Sequence, residues 1–154
     1  MAPDTQTFEI PRPLKVEHEE LHAQLARATK EVGDVGAAAR EVARILHPHF
    51  VSEEEFALPP LGLLRSLAAG TIDSNMKPAI AMAHRLKSEL PRMLEEHQTI
   101  VAALHTLIQA ATRRDRPEIA FFAEKLRLHA QTEEEVLYPA AMLVGEFLEA
   151  HLKG

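Results

Sequence analysis

The sequence contains no cysteine, only one tyrosine and only six glycines among its 154 residues. Without cysteine, the chain cannot form disulfides, thiolate metal sites, iron–sulfur clusters or cysteine nucleophiles. It also lacks an apolar run long enough to cross a membrane, and its first residues carry no apolar signal segment. We therefore expect a cytoplasmic protein with no membrane partner.

Positive charge is also scarce, because 17 lysines and arginines are outnumbered by 23 aspartates and glutamates, for a net charge of -6. This balance argues against a nucleic-acid or anionic-membrane partner, since both require a basic surface. Hydrophobic residues make up 46% and aromatic residues only 5%, with alanine and leucine dominant. With no alternating β-branched runs, this composition predicts an all-α fold.

Proline and glycine divide the chain into long segments in which apolar residues recur at helical spacing. Residues 1–13 are predicted to form an extended leader, and residues 14–154 to form one domain. Two helical hairpins are expected, at about residues 14–59 and 75–139, and the second ends near Pro139. The apolar stretch that follows is expected to form a short helix. Together these segments predict an antiparallel up-down four-helix bundle with a short extra C-terminal helix.

One sequence frame occurs twice, as HFVSEEEFALP at residues 49–59 and as HAQTEEEVLYP at residues 129–139. In each copy a histidine precedes three glutamates, and a proline follows them. A Glu-His pair also lies about thirty residues before each copy, at residues 17–18 and 96–97. The second hairpin therefore repeats the first, and in each copy the histidine and the glutamate four residues later share one helix face.

The His-x3-Glu spacing alone could arise by chance in a chain with nine histidines, and a run of glutamates usually lies in solvent. Chance does not explain the duplicated frame with its upstream Glu-His pair. Successive residues of a helix point about 100° apart, so only one glutamate of each run can face the interior squarely. We take Glu53 and Glu133 as the inward glutamates and keep Glu54 and Glu134 as weaker candidates.

Two carboxylates and four imidazoles inside a helical bundle need compensation, since their uncompensated burial would cost more than a domain's whole stability. Bound cations would supply it, because each carboxylate can bridge two metal ions while imidazoles fill the terminal positions. Histidine-rich, carboxylate-bridged ligation suits iron, with zinc, manganese or nickel as substitutes. The sequence thus predicts a dinuclear metal site rather than a structural polar cluster.

These motifs resemble those of the hemerythrin family, in the bacterial hemerythrin-like form with an HHE cation-binding domain. The resemblance covers residues 18–139, which is nearly the whole chain. It implies a non-haem di-iron centre inside a four-helix bundle, with two iron ions bridged by two carboxylates and by an oxo or hydroxo group. The metal ligands that the resemblance implies are His18, His49, Glu53, His97, His129 and Glu133.

One position departs from the pattern of dioxygen-carrying hemerythrins, which have a fifth histidine four residues after the first histidine of helix three. Val101 occupies that position here, whereas His22 lies four residues after His18 on helix one. The two halves would then have exchanged the fifth histidine, and we predict that His22 is a further metal ligand. The alternative is that His22 is an ordinary polar residue in a charged segment.

The resemblance implies that the protein reversibly binds or senses dioxygen, and nitric oxide is a further candidate ligand. One iron ion, held by His18, His22 and His49, is expected to have no open coordination position. Dioxygen is therefore expected at the iron ion held by His97 and His129, beside a dry apolar pocket. The residues expected to form that pocket are Val101, Ile100 and Leu104.

Other functions stay open on the sequence alone. Di-iron centres also serve in iron storage or delivery and in redox enzymes, although we favour a role without catalysis. A ferritin-like oxidase is disfavoured, because its site needs Glu-x-x-His on each of two helices and only the segment from Glu19 to His22 fits. A metal-free helical interaction module is the remaining alternative, and metal analysis of purified protein separates it from the others.

Tyr138, the only tyrosine, lies five residues after Glu133, which is about 140° round an α-helix. We therefore expect its side chain to pack beside the site or to support a ligand, and not to bind metal itself. The apolar stretch after Tyr138 could contribute to a homodimer.

Overall fold

The computed structural model describes residues 9–152, and within that range the regular secondary structure is entirely helical, with no strand. No helix in this range is long and apolar enough to cross a membrane. Residues 1–8 of the predicted leader lie outside the described range, and the first helix begins two residues before its predicted start. The α-helices are α1 (Arg12–Ala28), α2 (Gly33–Ser52), α3 (Leu64–Ala68), α4 (Pro78–Arg113), α5 (Pro117–Thr132) and α6 (Tyr138–His151).

Prolines and left-handed residues mark the ends of the long helices. Pro78 and Pro117 are the first residues of α4 and α5, where a missing N–H costs nothing and the proline φ is already helical. The chain takes a positive φ of 73° at Gly33 and of 55° at Asp115, which turns it between consecutive helices. Because these turns are short, α1 packs against α2, and α4 packs against α5.

A longer connection joins α2 to α4. It contains a 3₁₀ turn at Pro59–Leu63, the short helix α3 and a second 3₁₀ turn at Ser74–Met76. Asp73 caps the second turn, since its Oδ1 accepts a hydrogen bond of 2.9 Å from the backbone N–H of Asn75. This connection covers residues 60–74, which lie between the two predicted hairpins.

Helix α4 is central to the fold, because it packs along α2, α5 and α6. Three apolar clusters fill the interior, and the duplicated motifs lie at the boundary between the two larger ones. The buried apolar residues of α2 between positions 35 and 50 belong to the first of these clusters, while residues 56–58, which follow α2, belong to the second. On α4 the order is reversed, with Leu86 and Met93 in the second cluster and residues 100–111 in the first. The fold therefore brings the polar motifs to one level of the bundle.

Each run of three glutamates forms a turn of π-helix, at Glu53–Ala57 and at Glu133–Leu137. The backbone N–H of Leu58 bonds to the carbonyl of Glu53 at 2.9 Å, and that of Tyr138 bonds to the carbonyl of Glu133. These are bonds between residues five apart, so each turn holds one residue more than a turn of α-helix. Such turns are frequent at functional sites, and here both begin at a predicted metal ligand.

The fourth helix was predicted to end near Pro139, but the backbone stays helical through this residue. Leu137 and Tyr138 keep right-handed helical dihedrals, and α6 continues from the π-turn with Pro139 in its first turn. A proline lacks the N–H of an α-helical ladder and its ring collides with a carbonyl one turn earlier. The π-turn accommodates both effects, which explains why a proline follows the glutamates.

Helix α6 approaches α4 closely at one glycine. A Cβ atom built on Gly145 would lie 2.2 Å from the Cβ of Ala83, so only glycine allows this separation. The last helix is therefore packed on the bundle, with Val144 and Leu148 buried beside it.

Candidate metal centre

The six polar side chains predicted as ligands from the duplicated motifs converge inside the bundle. Each is at least 94% buried, and no other charged or histidine side chain between residues 9 and 152 is buried to this degree. Helix α1 contributes one histidine, α4 contributes another, and α2 and α5 each contribute a histidine and the glutamate that opens the π-turn. The six residues are His18, His49, Glu53, His97, His129 and Glu133.

The four imidazoles form two pairs through their Nε2 atoms. His49 and His97 bring these atoms to 2.8 Å, and His18 and His129 bring theirs to 3.0 Å. Two nitrogen ligands about 2.1 Å from one metal ion and at right angles to each other lie about 3 Å apart. Each pair therefore has the spacing of two neighbouring ligands on one metal ion.

Glu133 connects the two histidine pairs. Its Oε1 lies 3.1 Å from Nε2 of His97, while its Oε2 lies 3.1 Å from Nε2 of His129 and 3.5 Å from that of His18. Glu53 has a similar orientation, because its Oε2 lies 3.4 Å from Nε2 of His49 and its Oε1 lies 3.9 Å from that of His18. Each carboxylate thus directs one oxygen towards each pair, as a bridging ligand does.

Two groups of ligand atoms could hold a metal ion, and they share one carboxylate. One group consists of His49, Glu53, His97 and Glu133, and the other of His18, His129 and Glu133. This pairing differs from the one expected from the sequence, which assigned His18 and His49 to one metal ion and His97 and His129 to the other. The sequence could not show which helices are neighbours across the interior.

An unsatisfied oxygen indicates that a cation belongs in the site. Oε1 of Glu53 is fully buried and accepts no hydrogen bond, although its side chain has no access to solvent. Burying such an oxygen without a partner costs about 1–3 kcal/mol, and more if it is charged. A metal ion between the carboxylates would satisfy this oxygen, so the donor set and its geometry fit a bound cation.

Each ligand imidazole also has a carboxylate beside its Nδ1 atom. The Nδ1 of His49 lies 2.8 Å from Oε1 of Glu96, and that of His129 lies 2.5 Å from Oε1 of Glu17. Such carboxylates fix the ring so that Nε2 faces the metal, and they increase its basicity. This explains the duplicated Glu-His pairs, because the glutamate of each pair contacts a histidine of the other half.

At the other two imidazoles, the carboxylate beside Nδ1 comes from the second glutamate of each run. Oε1 of Glu134 lies 3.2 Å from Nδ1 of His97, and Oε2 of Glu54 lies 3.9 Å from that of His18. Glu54 and Glu134 were weaker ligand candidates in the sequence. Their carboxylates lie on the Nδ1 side of the imidazoles, away from the Nε2 atoms that face the interior.

Without a bound cation, the buried carboxylates favour the protonated form of the neighbouring imidazoles. Burial works against charged imidazoles, but contacts with Glu53 and Glu133 outweigh it and raise the pKa of His49 and His129 to about 9. Burial, followed by the charge of Glu133, raises the pKa of Glu53 to about 7. Burial acts in the same sense on Glu133, but its close contacts with Glu53 and with the histidines hold its pKa well below the usual range. Metal binding must therefore displace protons.

Tyr138 lies beside the site and contacts a ligand side chain, as the sequence analysis expected, but it lies closer to Glu133 and Glu53 than its position on an α-helix indicated. Its ring is fully buried, and its hydroxyl donates a hydrogen bond of 2.6 Å to Oε2 of Glu53. The expected angle of about 140° from Glu133 assumed an α-helix, whereas the π-turn brings residues five apart onto the same face. Burial, with the charges of Glu53 and Glu133, raises the pKa of the phenol far above its ordinary range. The sequence signal for these π-turns is the proline that follows each of them, Pro59 in the first half and Pro139, directly after Tyr138, in the second.

Comparison with protein-family models matches residues 9–141 to the hemerythrin HHE cation-binding domain. The chain belongs to this family. Comparison with curated proteins and with solved structures gave no match. The family assignment and the two ligand groups together identify a cation-binding site at the centre of this hemerythrin domain.

The fifth histidine of this hemerythrin domain lies apart from the other four. The ring of His22 is half-buried and contacts the edge of Phe50, with 4.5 Å between ring centroids, while His18 stacks on the same ring at 4.4 Å. Burial, followed by the neighbouring His18, lowers the pKa of His22. His22 belongs to neither ligand group, so its role as a ligand stays a prediction.

Replacing His22 by glutamine separates ligation from packing. If His22 is a ligand, as the sequence predicts, His22→Gln should bind less iron than the wild type or oxidise faster in air, whereas a side chain that only packs on Phe50 should leave both quantities unchanged. Metal analysis and the decay of the diferrous protein in air measure both quantities, with His18→Gln as the variant that should lose iron. Lower iron content or faster oxidation in His22→Gln would show that this side chain is a ligand.

The three residues of the expected oxygen pocket lie in different surroundings. Ile100 lines a small cavity beside the ligands, together with the apolar side chains of Leu46, Phe50 and Leu126. Val101 is half-buried and lines a surface groove, and Leu104 is buried in the first apolar cluster without lining the cavity. Of the three residues, only Ile100 lines the cavity beside the ligands, and an oxygen pocket there stays a prediction. The ligands that also line the cavity are His49, His97, His129 and Glu133.

Proposed function

We propose that this hemerythrin domain holds a di-iron centre that reversibly binds or senses dioxygen in the cytoplasm, with nitric oxide as a second candidate ligand. The proposed arrangement is an antiparallel up-down bundle, in which α1, α2, α4 and α5 carry the ligands and α6 is the additional helix. The four histidines and two glutamates described above would hold two iron ions.

The donor set supports iron. Imidazole and carboxylate ligands without thiolates suit divalent and trivalent iron, and the two ligand groups share a carboxylate, as dinuclear centres do. The carboxylates beside the Nδ1 atoms would orient the imidazoles and increase their basicity. When bound, iron would supply the redox chemistry, while the protein positions the ligands and excludes water.

The size and lining of the cavity carry the proposal. Its volume is about 10 Å³, close to the roughly 10–15 Å³ that one water molecule needs. Every residue that lines it is buried, and the walls away from the ligands are apolar. A space of this size excludes an organic substrate and can admit only a very small molecule such as a diatomic gas, while its apolar walls offer water few hydrogen-bond partners.

Oxygenation of the diferrous protein tests the proposal. We expect anaerobic reconstitution with ferrous iron, followed by oxygen, to produce a visible absorption band that vanishes when the gas is removed and returns with fresh oxygen. The same cycle with nitric oxide tests the second ligand. Irreversible passage to the diferric state would contradict reversible binding and favour a di-iron redox enzyme. Protein that binds no iron would contradict the di-iron centre itself.

Two matched variants locate the response in the cavity. Ile100→Phe should fill the space beside the ligands and weaken or slow the oxygen response, with iron content unchanged. Leu104→Phe enlarges a buried side chain of the same cluster one helical turn away and should leave the response intact. Because overpacking costs about 1–3 kcal/mol at either position, thermal unfolding of both variants should be measured alongside.

A further inference from the structure

Tyr138 lies among the ligand atoms of one histidine pair and not of the other. Its hydroxyl oxygen is 3.3 Å from Nε2 of His49 and 3.2 Å from Nε2 of His97, in addition to its bond of 2.6 Å to Glu53. The ring also stacks on that of His97, with 5.6 Å between centroids. A fully buried hydroxyl therefore points at the atoms that would surround one metal ion.

The distances around this hydroxyl are those of a single coordination shell. Neighbouring ligands at right angles around one metal ion, each about 2.1 Å away, lie about 3 Å apart. The hydroxyl oxygen and the Nε2 atoms of His49 and His97 form a triangle with sides of 2.8, 3.2 and 3.3 Å. The nearest oxygens of Glu53 and Glu133 lie 3.4 Å from His49 and 3.1 Å from His97. These distances are close to those between neighbouring ligands of one ion, and only the 2.6 Å hydrogen bond from the hydroxyl to Glu53 is shorter.

In the protein without metal, the hydroxyl donates to Glu53 and can accept hydrogen bonds from the Nε2 atoms of His49 and His97. Once a metal ion binds these two nitrogens they can no longer donate, and the hydroxyl oxygen is left facing the ion. The π-turn that begins at Glu133 is what rotates Tyr138 into this place. The corresponding turn of the other half places Leu58, five residues after Glu53, at the matching position. The two halves therefore differ at the one position that could add a ligand.

We propose that Tyr138 is a metal ligand, binding through its phenolate oxygen to the ion held by His49 and His97. This inference rests on the proposed di-iron function. On ligation the phenol O–H bond breaks, the oxygen donates an electron pair to the metal ion, and the proton leaves to solvent with those displaced from the histidines.

This ligand makes the two metal positions unequal. The ion at His49 and His97 has five protein side chains, namely these two histidines with Tyr138, Glu53 and Glu133. The ion at His18 and His129 has two histidines and the shared carboxylates, with a leucine in place of the tyrosine. The ion at His18 and His129 then has fewer protein ligands than its partner, whereas the sequence analysis expected the fewer ligands at an ion held by His97 and His129.

The sequence makes this proposal directly measurable, because Tyr138 is the only tyrosine and the chain has no tryptophan. Ultraviolet difference spectra of the wild type at neutral pH should show one tyrosinate per chain when zinc is added, since zinc has no absorption of its own there. With ferric iron, a visible phenolate-to-iron charge-transfer band should appear, with tyrosine ring modes enhanced in the resonance Raman spectrum.

Tyr138→Phe should bind iron with the same stoichiometry while losing the tyrosinate signal and the charge-transfer band. Because an anionic oxygen ligand favours ferric over ferrous iron, the variant should also oxidise several-fold more slowly in air. Tyr138→Leu, which copies the first half, serves as a second variant if the phenylalanine variant unfolds. The spectra of the wild type need no variant.

The possible results separate this inference from the proposed function. Two iron ions per chain without a tyrosinate signal would overturn the ligand role of Tyr138 and leave the di-iron centre intact. A charge-transfer band that persists in Tyr138→Phe would overturn it as well. Failure to bind two iron ions would overturn the proposed function, and the ligand assignment with it.

Discussion

Replacing Glu133 by glutamine is expected to abolish iron binding at both metal positions. Glu133 belongs to both ligand groups, and its two oxygens face different histidine pairs, so a neutral amide weakens both positions at once. The amide keeps the size of the side chain but removes its negative charge and replaces one oxygen by a hydrogen-bond donor. Metal analysis of protein reconstituted with ferrous iron should show a fall from two iron ions per chain to well below one.

The same run of glutamates provides the control. Glu135 lies two residues further along the π-turn, is exposed and accepts a hydrogen bond from Gln131. Glu135→Gln therefore makes the same chemical change in the same turn without touching the site, and it should keep two iron ions. Retention of both ions by Glu133→Gln would show that this carboxylate does not bridge them.

Glu53→Gln should have a smaller effect than Glu133→Gln. Oε1 of Glu53 lies 3.9 Å from His18, further than any distance between Glu133 and the three histidines near it. We infer that the ion at His49 and His97 depends more on Glu53 than the other ion does. A partial loss of iron in this variant would agree with that order.

The duplicated motifs were sufficient to predict which side chains converge. A histidine and a glutamate four residues apart must share a helix face, and two copies of this pair bring four groups to one level of a bundle. The Glu-His pairs add His18 and His97, and the structure brings all six side chains together. This part of the site depends on helical periodicity, which sequence spacing shows directly.

Three features depended on information that the spacing does not contain. The pairing of histidines across the interior follows from which helices are neighbours, and the sequence shows only the order of helices along the chain. The separation of His22 from the other histidines follows from the position of Phe50, against which both His18 and His22 pack. The place of Tyr138 follows from a π-turn, in which the angle per residue differs from that of an α-helix.

The metal-free protein is expected to lose stability as the pH rises from about 6.5 to 9. A histidine whose pKa is raised by folding stabilises the folded state below its unfolded pKa, and this contribution disappears as the pH passes the folded value. The pKa of His49 and His129 rises from 6.5 to about 9, which corresponds to about 3 kcal/mol for each. Glu53, whose pKa is raised from 4.5 to about 7, acts in the same direction at lower pH. In a protein of this size, such a loss should lower the midpoint of thermal unfolding by roughly 10–20 °C.

The metal-loaded protein should show the opposite trend, because metal ions bind the deprotonated ligands and their affinity rises as protons are removed. The gap in unfolding temperature between the loaded and the metal-free protein should therefore widen between pH 6.5 and 9. In the metal-free protein, His49→Gln should remove about half of the pH dependence, since one of the two raised histidines is gone. His105→Gln, at an exposed position further along α4, should leave the dependence unchanged. Equal stability of the metal-free protein at pH 6.5 and 9 would contradict this prediction. It would mean that the buried carboxylates do not keep these imidazoles protonated, and metal ions would then bind without displacing protons from them.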